Sequence, residues 1–228
     1  MKKRRMLSSE AAYFFGIIVL ALGTAFMERA DFGMSMVVAP AYLFYLKLSQ
    51  TYAWFTFGMA EYCFQAVLLV IIALIMRRFK TMYLFSFVTA FLYGIILDLM
   101  MGAVGRIILE GIAGRIIFFL GGLVLCSFGV ALLFHTYIAP EAYELMVKEI
   151  SAKTGTDITG VKTVYDCCSC ALAVILSFLF FGFGHFEGVK AGTIFCALIN
   201  GWTIGQCGRL LEHLFDFRDA WGLRKYFA

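Results

Sequence analysis

Charged residues are scarce in this chain, and so are prolines. Only 15% of the 228 residues are charged, 62% are hydrophobic, and there are two prolines. Soluble domains carry about 25% charged residues. A soluble fold of this size cannot hide so much apolar surface, so we expect the lipid bilayer to be the solvent for much of it.

The sequence also lacks the motifs of the common enzyme classes. It has no nucleophile elbow, Walker loop, HExxH or paired-carboxylate signature, so we expect no enzyme and no cofactor. The three histidines, His135, His185 and His213, lack metal-ligand spacing. The net charge of +4 comes from basic residues at the ends of apolar runs. Membrane topology explains that placement, so we expect no nucleic-acid partner.

Seven cysteines are present, an odd number, and all lie within apolar runs. Disulfide frameworks place their cysteines in extramembrane loops, so we expect free thiols. The cluster Cys167-Cys168-x-Cys170, together with 11 methionines, leaves a soft-metal site as an alternative. We favour no metal, because these positions point around a helix and no second CxxC accompanies them.

Apolar runs of about 20 residues predict six transmembrane helices in an all-α, polytopic membrane protein. Shorter elements are predicted near 34–48, as an interfacial or re-entrant helix, and near 140–152, as a surface amphipathic helix. The C-terminal tail from Glu212 mixes charge with aromatic residues and predicts an interfacial helix. The six predicted spans are Ala11–Met27, Ala53–Met76, Met82–Met101, Ile116–Ile138 and the two runs of a hairpin between Thr163 and Leu211.

The two parts of the chain, 1–110 and 111–228, are similar to each other in sequence. The segment AP-AYLFYLK-LS at 39–49 matches APEAYELMVKEIS at 139–151, and the flanking runs also match. Each half then reads as span, short helix, span, span. Because three spans is an odd number, the second copy enters the membrane from the opposite side, which predicts a 3+3 inverted repeat typical of secondary transporters.

Ionisable groups inside spans are costly and mark candidate sites. Glu61 lies within the second span with Gln65 one turn on, and Asp166 is its partner in the repeat. Lys162 and Asp166 have the spacing of a helical ion pair, and Asp98 can equally anchor a helix end. The predicted substrate-binding residues are Glu61, Gln65, Asp166, Asn200, Tyr62, Tyr165 and Asp98.

Four segments resemble the YitT/YczE-type family of bacterial integral membrane proteins. They are ADFGMS (Ala30–Ser35), GIILDLM (Gly94–Met100), VKTVYD (Val161–Asp166) and GVKAGTIFCALINGWTIG (Gly188–Gly205). After Gly33 this sequence has Met34-Ser35-Met36 where the family pattern has Ser-Pro. The resemblance implies a multi-pass protein of the bacterial plasma membrane and implies no particular substrate.

The leading hypothesis is a transporter of a small molecule or ion, with its site between the two repeats near the bilayer midplane. Buried carboxylates suit a cationic substrate or proton coupling. The alternative is a non-transporting regulatory or assembly partner, or a binding subunit of a larger membrane complex; a homodimer is also open. Lys and Arg number 14 on one predicted side and 5 on the other, which predicts that both termini are cytoplasmic.

Overall fold

The computed structural model describes residues 5–183 and 187–220, which form eight helices and two short strands. The predicted all-α class is confirmed. In chain order the elements are β1 (Arg5–Ser8), α1 (Ser9–Ala30), α2 (Ala39–Leu48), α3 (Phe57–Met76), α4 (Thr81–Val104), α5 (Gly111–Phe134), α6 (Ala142–Thr154), α7 (Ile158–Phe181), α8 (Ala191–Leu214) and β2 (Phe215–Arg218).

Five helices of the described chain, α1, α3, α4, α5 and α7, are long and apolar enough to cross a membrane. The eighth helix, α8, is also 24 residues long but is not one of these five. Polar residues such as Asn200, Thr203 and Gln206 lower its hydropathy. The chain is therefore a multi-pass membrane protein by the length and composition of its helices.

Helices α1 and α5 form the most extensive packing in the fold, and glycines set their separation. A Cβ atom on Gly23 would lie 2.8 Å from the carbonyl oxygen of Gly122, and one on Gly16 would lie 3.2 Å from that of Gly129. Only a residue without a side chain allows two helix backbones to come so close. As the α1 residue number rises, its α5 partner falls, so the two helices run antiparallel.

Further contacts give the direction of the remaining long helices. Three contacts join α5, and His135 directly after it, to α8: Phe119 with Phe195, Ser127 with Thr203 and His135 with Glu212. The residue numbers rise together in both helices, so α5 and α8 run parallel. In α1, the hydroxyls of Tyr13 and Thr24 are hydrogen-bonded to those of Thr89 and Tyr93 in α4, in that order. Helices α1 and α4 therefore also run parallel. The hairpins α3–α4 and α7–α8 are antiparallel neighbours. Long helices therefore alternate in direction along the chain.

The two short helices are wedged between the long ones. Each of them, α2 and α6, packs against both α3 and α7. Their first residues are buried: Ala39 and Pro40 in α2, Tyr143 and Glu144 in α6. Helix α6 is amphipathic as expected, but its first two turns lie inside the protein rather than on its surface.

The first and last described segments meet in a two-stranded parallel sheet, with Arg5 opposite Phe215 and Ser8 opposite Arg218. The expected interfacial helix is therefore wrong for residues 215–218, where the alternating sequence Phe-Asp-Phe-Arg favours an extended strand. The rest of the tail, 221–228, lies outside the described residues, as does the basic start of the chain. This sheet joins the start of α1 to the end of α8.

Candidate functional site

Two predicted site residues, Glu61 and Gln65, lie side by side on the buried face of α3, and neither has any exposed surface. The Gln65 amide nitrogen donates to Glu61 Oε2 over 3.4 Å, as expected for residues one turn apart. The second carboxylate oxygen, Glu61 Oε1, is buried and accepts no hydrogen bond from any described residue. A buried carboxyl oxygen without a hydrogen-bond partner costs free energy unless a proton or a ligand satisfies it.

The start of α6 completes this cluster. Gln65 donates to Glu141 Oε2 over 3.1 Å, and its own amide oxygen accepts from the backbone N–H of Ala142 over 3.0 Å. The hydroxyl of Tyr143 donates to Glu61 Oε2 over 2.8 Å. Gln65 thus binds α6 through both ends of its amide, which fixes the short helix against α3.

On the other side of α6, one lysine joins two further acids. Lys162 Nζ lies 3.0 Å from Asp166 Oδ1 on the same helix and 3.8 Å from Glu144 Oε1. The predicted ion pair between Lys162 and Asp166 is confirmed, but it is buried, with side chains only 5% and 1% exposed. Four carboxyls, those of Glu61, Glu141, Glu144 and Asp166, are therefore buried near α6, and the Lys162 ammonium is ion-paired with two of them, Asp166 and Glu144.

The surroundings of Glu141 and Glu144 disfavour their ionised forms. Burial raises the pKa of Glu141 well above its usual range, the nearby acids Glu144 and Glu61 raise it further, and the Gln65 hydrogen bond and Lys162 oppose the rise. Burial also raises the pKa of Glu144, against the effect of the Lys162 ammonium. This cluster consequently favours binding of positive charge.

A small internal cavity lies beside these groups, at the centre of the helix packing. Its volume is about 30 Å³. Roughly 10–15 Å³ of such space suffices for one water molecule, so the cavity has room for about two. Its lining includes Glu141, Glu144, Lys162 and Asn200, and on the facing side Thr24, Ser35, Val37, Val38 and Tyr93.

A wider vestibule of about 220 Å³ lies between α5, α7 and α8. The glycines Gly201, Gly205 and Gly208 line it, and His135 and Glu212 stand near the end of α8. Lys162 lines both the vestibule and the inner cavity. The vestibule lies at the end of the molecule where β1 and β2 meet.

A third space, of about 630 Å³, is larger than either but is a largely apolar groove between α3, α6 and α7. Phe64, Leu68, Met146, Ile150 and Leu172 are among the residues that line it. Glu141, Glu144 and Lys162, three of the buried ionisable groups, line the small cavity instead. We therefore place the candidate site at the cavity, despite the greater volume of the groove.

Two predicted site residues lie elsewhere. Asp98 accepts from the Thr56 hydroxyl over 2.7 Å and from the Gly58 N–H over 2.8 Å, so it caps the first turn of α3. This agrees with the reading of Asp98 as an anchor for a helix end. Tyr62 is partly exposed and packs on Phe91 of α4, away from the cluster.

The remaining predicted residues lie close to the cluster. Asn200 lines the cavity, and the ring of Tyr165 lies 5.7 Å from Lys162 Nζ. Of the residues in the soft-metal alternative, Cys167 and Cys168 are exposed. Within residues 5–183 and 187–220, no three His, Cys, Asp or Glu side chains are grouped so that they could hold a metal ion.

Sequence reasoning missed Glu141, Tyr143 and Glu144, which it assigned to a surface helix. One signal was available in the comparison of the two halves. The first copy reads Ala-Pro-Ala-Tyr and the second Ala-Pro-Glu-Ala-Tyr-Glu, so the two glutamates are what the second copy adds at this place. An acid added beside a Pro-containing helix start is a candidate site residue in a membrane protein.

Apolar helices around a buried ionisable cluster define a multi-pass helical membrane protein. The chain belongs to a family of unknown function, DUF6198, whose sequence model matches residues 7–209. A search of curated proteins and a search of solved structures gave no match to this chain.

Proposed function

We propose that this protein transports a small cationic solute or ion across the bacterial plasma membrane, with its site in the cavity between two inverted halves. The observation that carries the proposal is the cluster of four buried carboxyls around one ammonium beside a water-sized cavity. Such a cluster costs several kcal/mol in an apolar interior, and ion or proton pathways are the usual reason for it. The resemblance to YitT/YczE-type proteins stays a prediction.

The packing of the helices supports the inverted repeat. If α1–α4 are exchanged with α5–α8, the contact α3–α4 becomes α7–α8, α1–α4 becomes α5–α8, and α2–α7 becomes α6–α3. The same exchange turns the contact Gly16–Gly129 into Gly122–Gly23. The partner helices α1 and α5 run antiparallel, as an axis in the membrane plane requires.

The cavity lies on the axis implied by that exchange. The sequence offset that takes Gly16 to Gly122 also takes Leu20 to Cys126 and Thr24 to Val130. These last four residues all line the cavity. Residues just before α2 and at the start of α6 both line it. Sites of secondary transporters lie between the repeats, and a cavity lined from both halves supports a site of that kind here.

Helix directions support α8 as a sixth span, even though its hydropathy is low. Long helices alternate in direction from α1 to α8, and the β1–β2 pairing brings the two ends of the described chain together. Six membrane crossings agree with both observations, whereas five crossings would place the two ends on opposite sides of the membrane. With Lys and Arg concentrated on that side, we propose that it faces the cytoplasm.

The closeness of helix packing differs between the two halves of the molecule, which supports alternating access. At the start of α3, Gly58 packs so tightly on Gly94 that no Cβ atom fits, and Asp98 closes the same place. At the corresponding place in the other half, a Cβ atom on Gly201 would lie 3.7 Å from Thr163, and one on Gly205 would meet nothing within 4 Å. The start of α3 is therefore closely packed, whereas the corresponding place in the other half borders the vestibule.

The alternative of a non-transporting partner protein loses part of its support. Helix α6, which a surface position would have made available to a partner, buries Tyr143, Leu145 and Val147 and holds two of the cluster's acids inward. What it leaves on the surface is its last turn, where Ala152, Lys153 and Thr154 are exposed.

The test is uptake into proteoliposomes of the purified full chain, screened with labelled small cations and protonated amines. We expect uptake that Glu61→Gln reduces at least tenfold, because the ionisable carboxyl is lost. Glu149→Gln is the matched control, since Glu149 lies on α6 but pairs with Lys80 outside the cavity. Uptake unchanged by Glu61→Gln would remove Glu61 from the site, and no uptake of any cation would contradict the transport proposal.

A further inference from the structure

The inner cavity has features of an ion site that the cluster of acids alone does not give. Glu141 and Glu144 both line it and are 2% and 3% exposed. Glu141 uses Oε2 to accept from Gln65, and Glu144 presents Oε1 to Lys162. The other two oxygens, Glu141 Oε1 and Glu144 Oε2, are buried and have no hydrogen-bond partner among the described residues.

Unsatisfied carboxylate oxygens next to a cavity need a hydrogen-bond donor, a proton or a cation as a partner. Hard cations bind oxygen donors, and the Asn200 amide, which also lines the cavity, can supply a neutral one. Thr24 and Ser35 add hydroxyl oxygens on the facing side. The lining therefore offers two charged oxygens and several neutral ones.

The size and charge of the cavity narrow the class of ligand. With about 30 Å³ it holds an ion and at most a water molecule, but no organic solute. Its ionisable lining residues, Glu141, Glu144 and Lys162, sum to one negative charge when all are ionised. A monovalent cation balances that charge, whereas a divalent ion would leave an excess of positive charge.

We infer that this cavity binds one monovalent alkali cation, held by Glu141 Oε1, Glu144 Oε2 and the amide oxygen of Asn200. The inference rests on the proposed function in that it names an ion class for the same site. A cation there neutralises the two unpaired oxygens and offsets the negative charge of the lining. Bound in this position, it would also hold the start of α6 against α7 and α8.

Binding is tested on the purified full chain in detergent, by thermal unfolding in NaCl against choline chloride at constant ionic strength and pH 8. A ligand that binds only the folded state raises its stability with concentration. We expect a saturable rise in melting temperature with Na⁺, a smaller one with K⁺ or none, and none specific to Mg²⁺. Equilibrium binding of ²²Na⁺ gives an independent measure.

Glu141→Gln and Glu144→Gln are each expected to weaken Na⁺ binding at least tenfold, whereas Glu149→Gln leaves it unchanged. Asn200→Leu fills the cavity and should remove the response while the protein still folds. No stabilisation of the unchanged chain by either Na⁺ or K⁺ relative to choline would overturn the inference, as would Na⁺ binding by both glutamate variants that equals that of the unchanged chain.

The two proposals fail separately. Na⁺ binding in detergent without any solute or ion flux in proteoliposomes would leave the cation site standing and contradict transport. Flux that Na⁺ neither drives nor accompanies, in a protein that does not bind Na⁺, would leave transport standing and contradict the cation site.

Discussion

Gly122 of α5 lies against the backbone of Gly23 in α1, so that a Cβ atom added to Gly122 would be 2.7 Å from the Gly23 carbonyl oxygen. Its neighbour Gly121 is different, since a Cβ atom there would meet only Phe26 at 3.8 Å, an ordinary contact. Two adjacent glycines on one helix thus have opposite tolerance for a methyl group.

Gly122→Ala should therefore destabilise the fold by about 1–3 kcal/mol, because α1 and α5 must separate to admit the methyl group. Gly121→Ala should be neutral or stabilising by up to about 1 kcal/mol, because alanine is the better helix former. Unfolding in mixed detergent and SDS measures both variants. Equal stability of the two would contradict the close α1–α5 packing.

Asp98 should matter for stability and not for solute affinity. Asp98→Ala leaves the Gly58 N–H and the Thr56 hydroxyl without their acceptor, and loss of such a cap costs about 1 kcal/mol. Asp98→Asn keeps one acceptor oxygen and should recover most of that loss. A changed half-saturation concentration for uptake in Asp98→Asn would instead return this residue to the binding site.

Removal of the buried ammonium should be the most disruptive single change in the cluster. Lys162→Met leaves Asp166 and Glu144 without their compensating charge, and breaking a buried ion pair costs about 3–5 kcal/mol. Addition of Asp166→Asn to Lys162→Met should restore part of the stability, so a double-mutant cycle should give a clear coupling energy. Additive losses would mean that the two side chains act independently.

The vestibule predicts a way to block transport without unfolding the protein. A side chain at Gly205 meets no atom within 4 Å at its Cβ position, so Gly205→Leu should fold and fill part of the 220 Å³ space. We expect uptake to fall at least tenfold with little change in melting temperature. Gly102→Leu is the control, because Gly102 has similar open space on α4, outside the vestibule lining. Equal uptake by both variants would show that the vestibule is not the route.

Hydropathy and spacing were sufficient to predict the burial of Glu61, Gln65 and Asp166. An acid inside an apolar run of span length has no water to face, so it must turn towards the protein interior. The same reasoning could not find Glu141 and Glu144. They precede a hydrophilic stretch, and only the insertion of α6 between α3 and α7 takes them away from water.

Two other outcomes depended on long-range contacts. The strand at 215–218 forms because its partner, Arg5–Ser8, lies at the opposite end of the chain. Asp98 looked like an intramembrane acid because the sequence does not show that the start of α3 lies against it. Local patterns gave the helices, whereas the identity of neighbours across the fold decided the role of each polar residue.

The pairing of β1 with β2 limits how the two halves can move. Since these strands tie the first turn of α1 to the last turn of α8, that corner cannot open by separating the two helices. Any rocking of the two halves would therefore have to turn about the β1–β2 sheet.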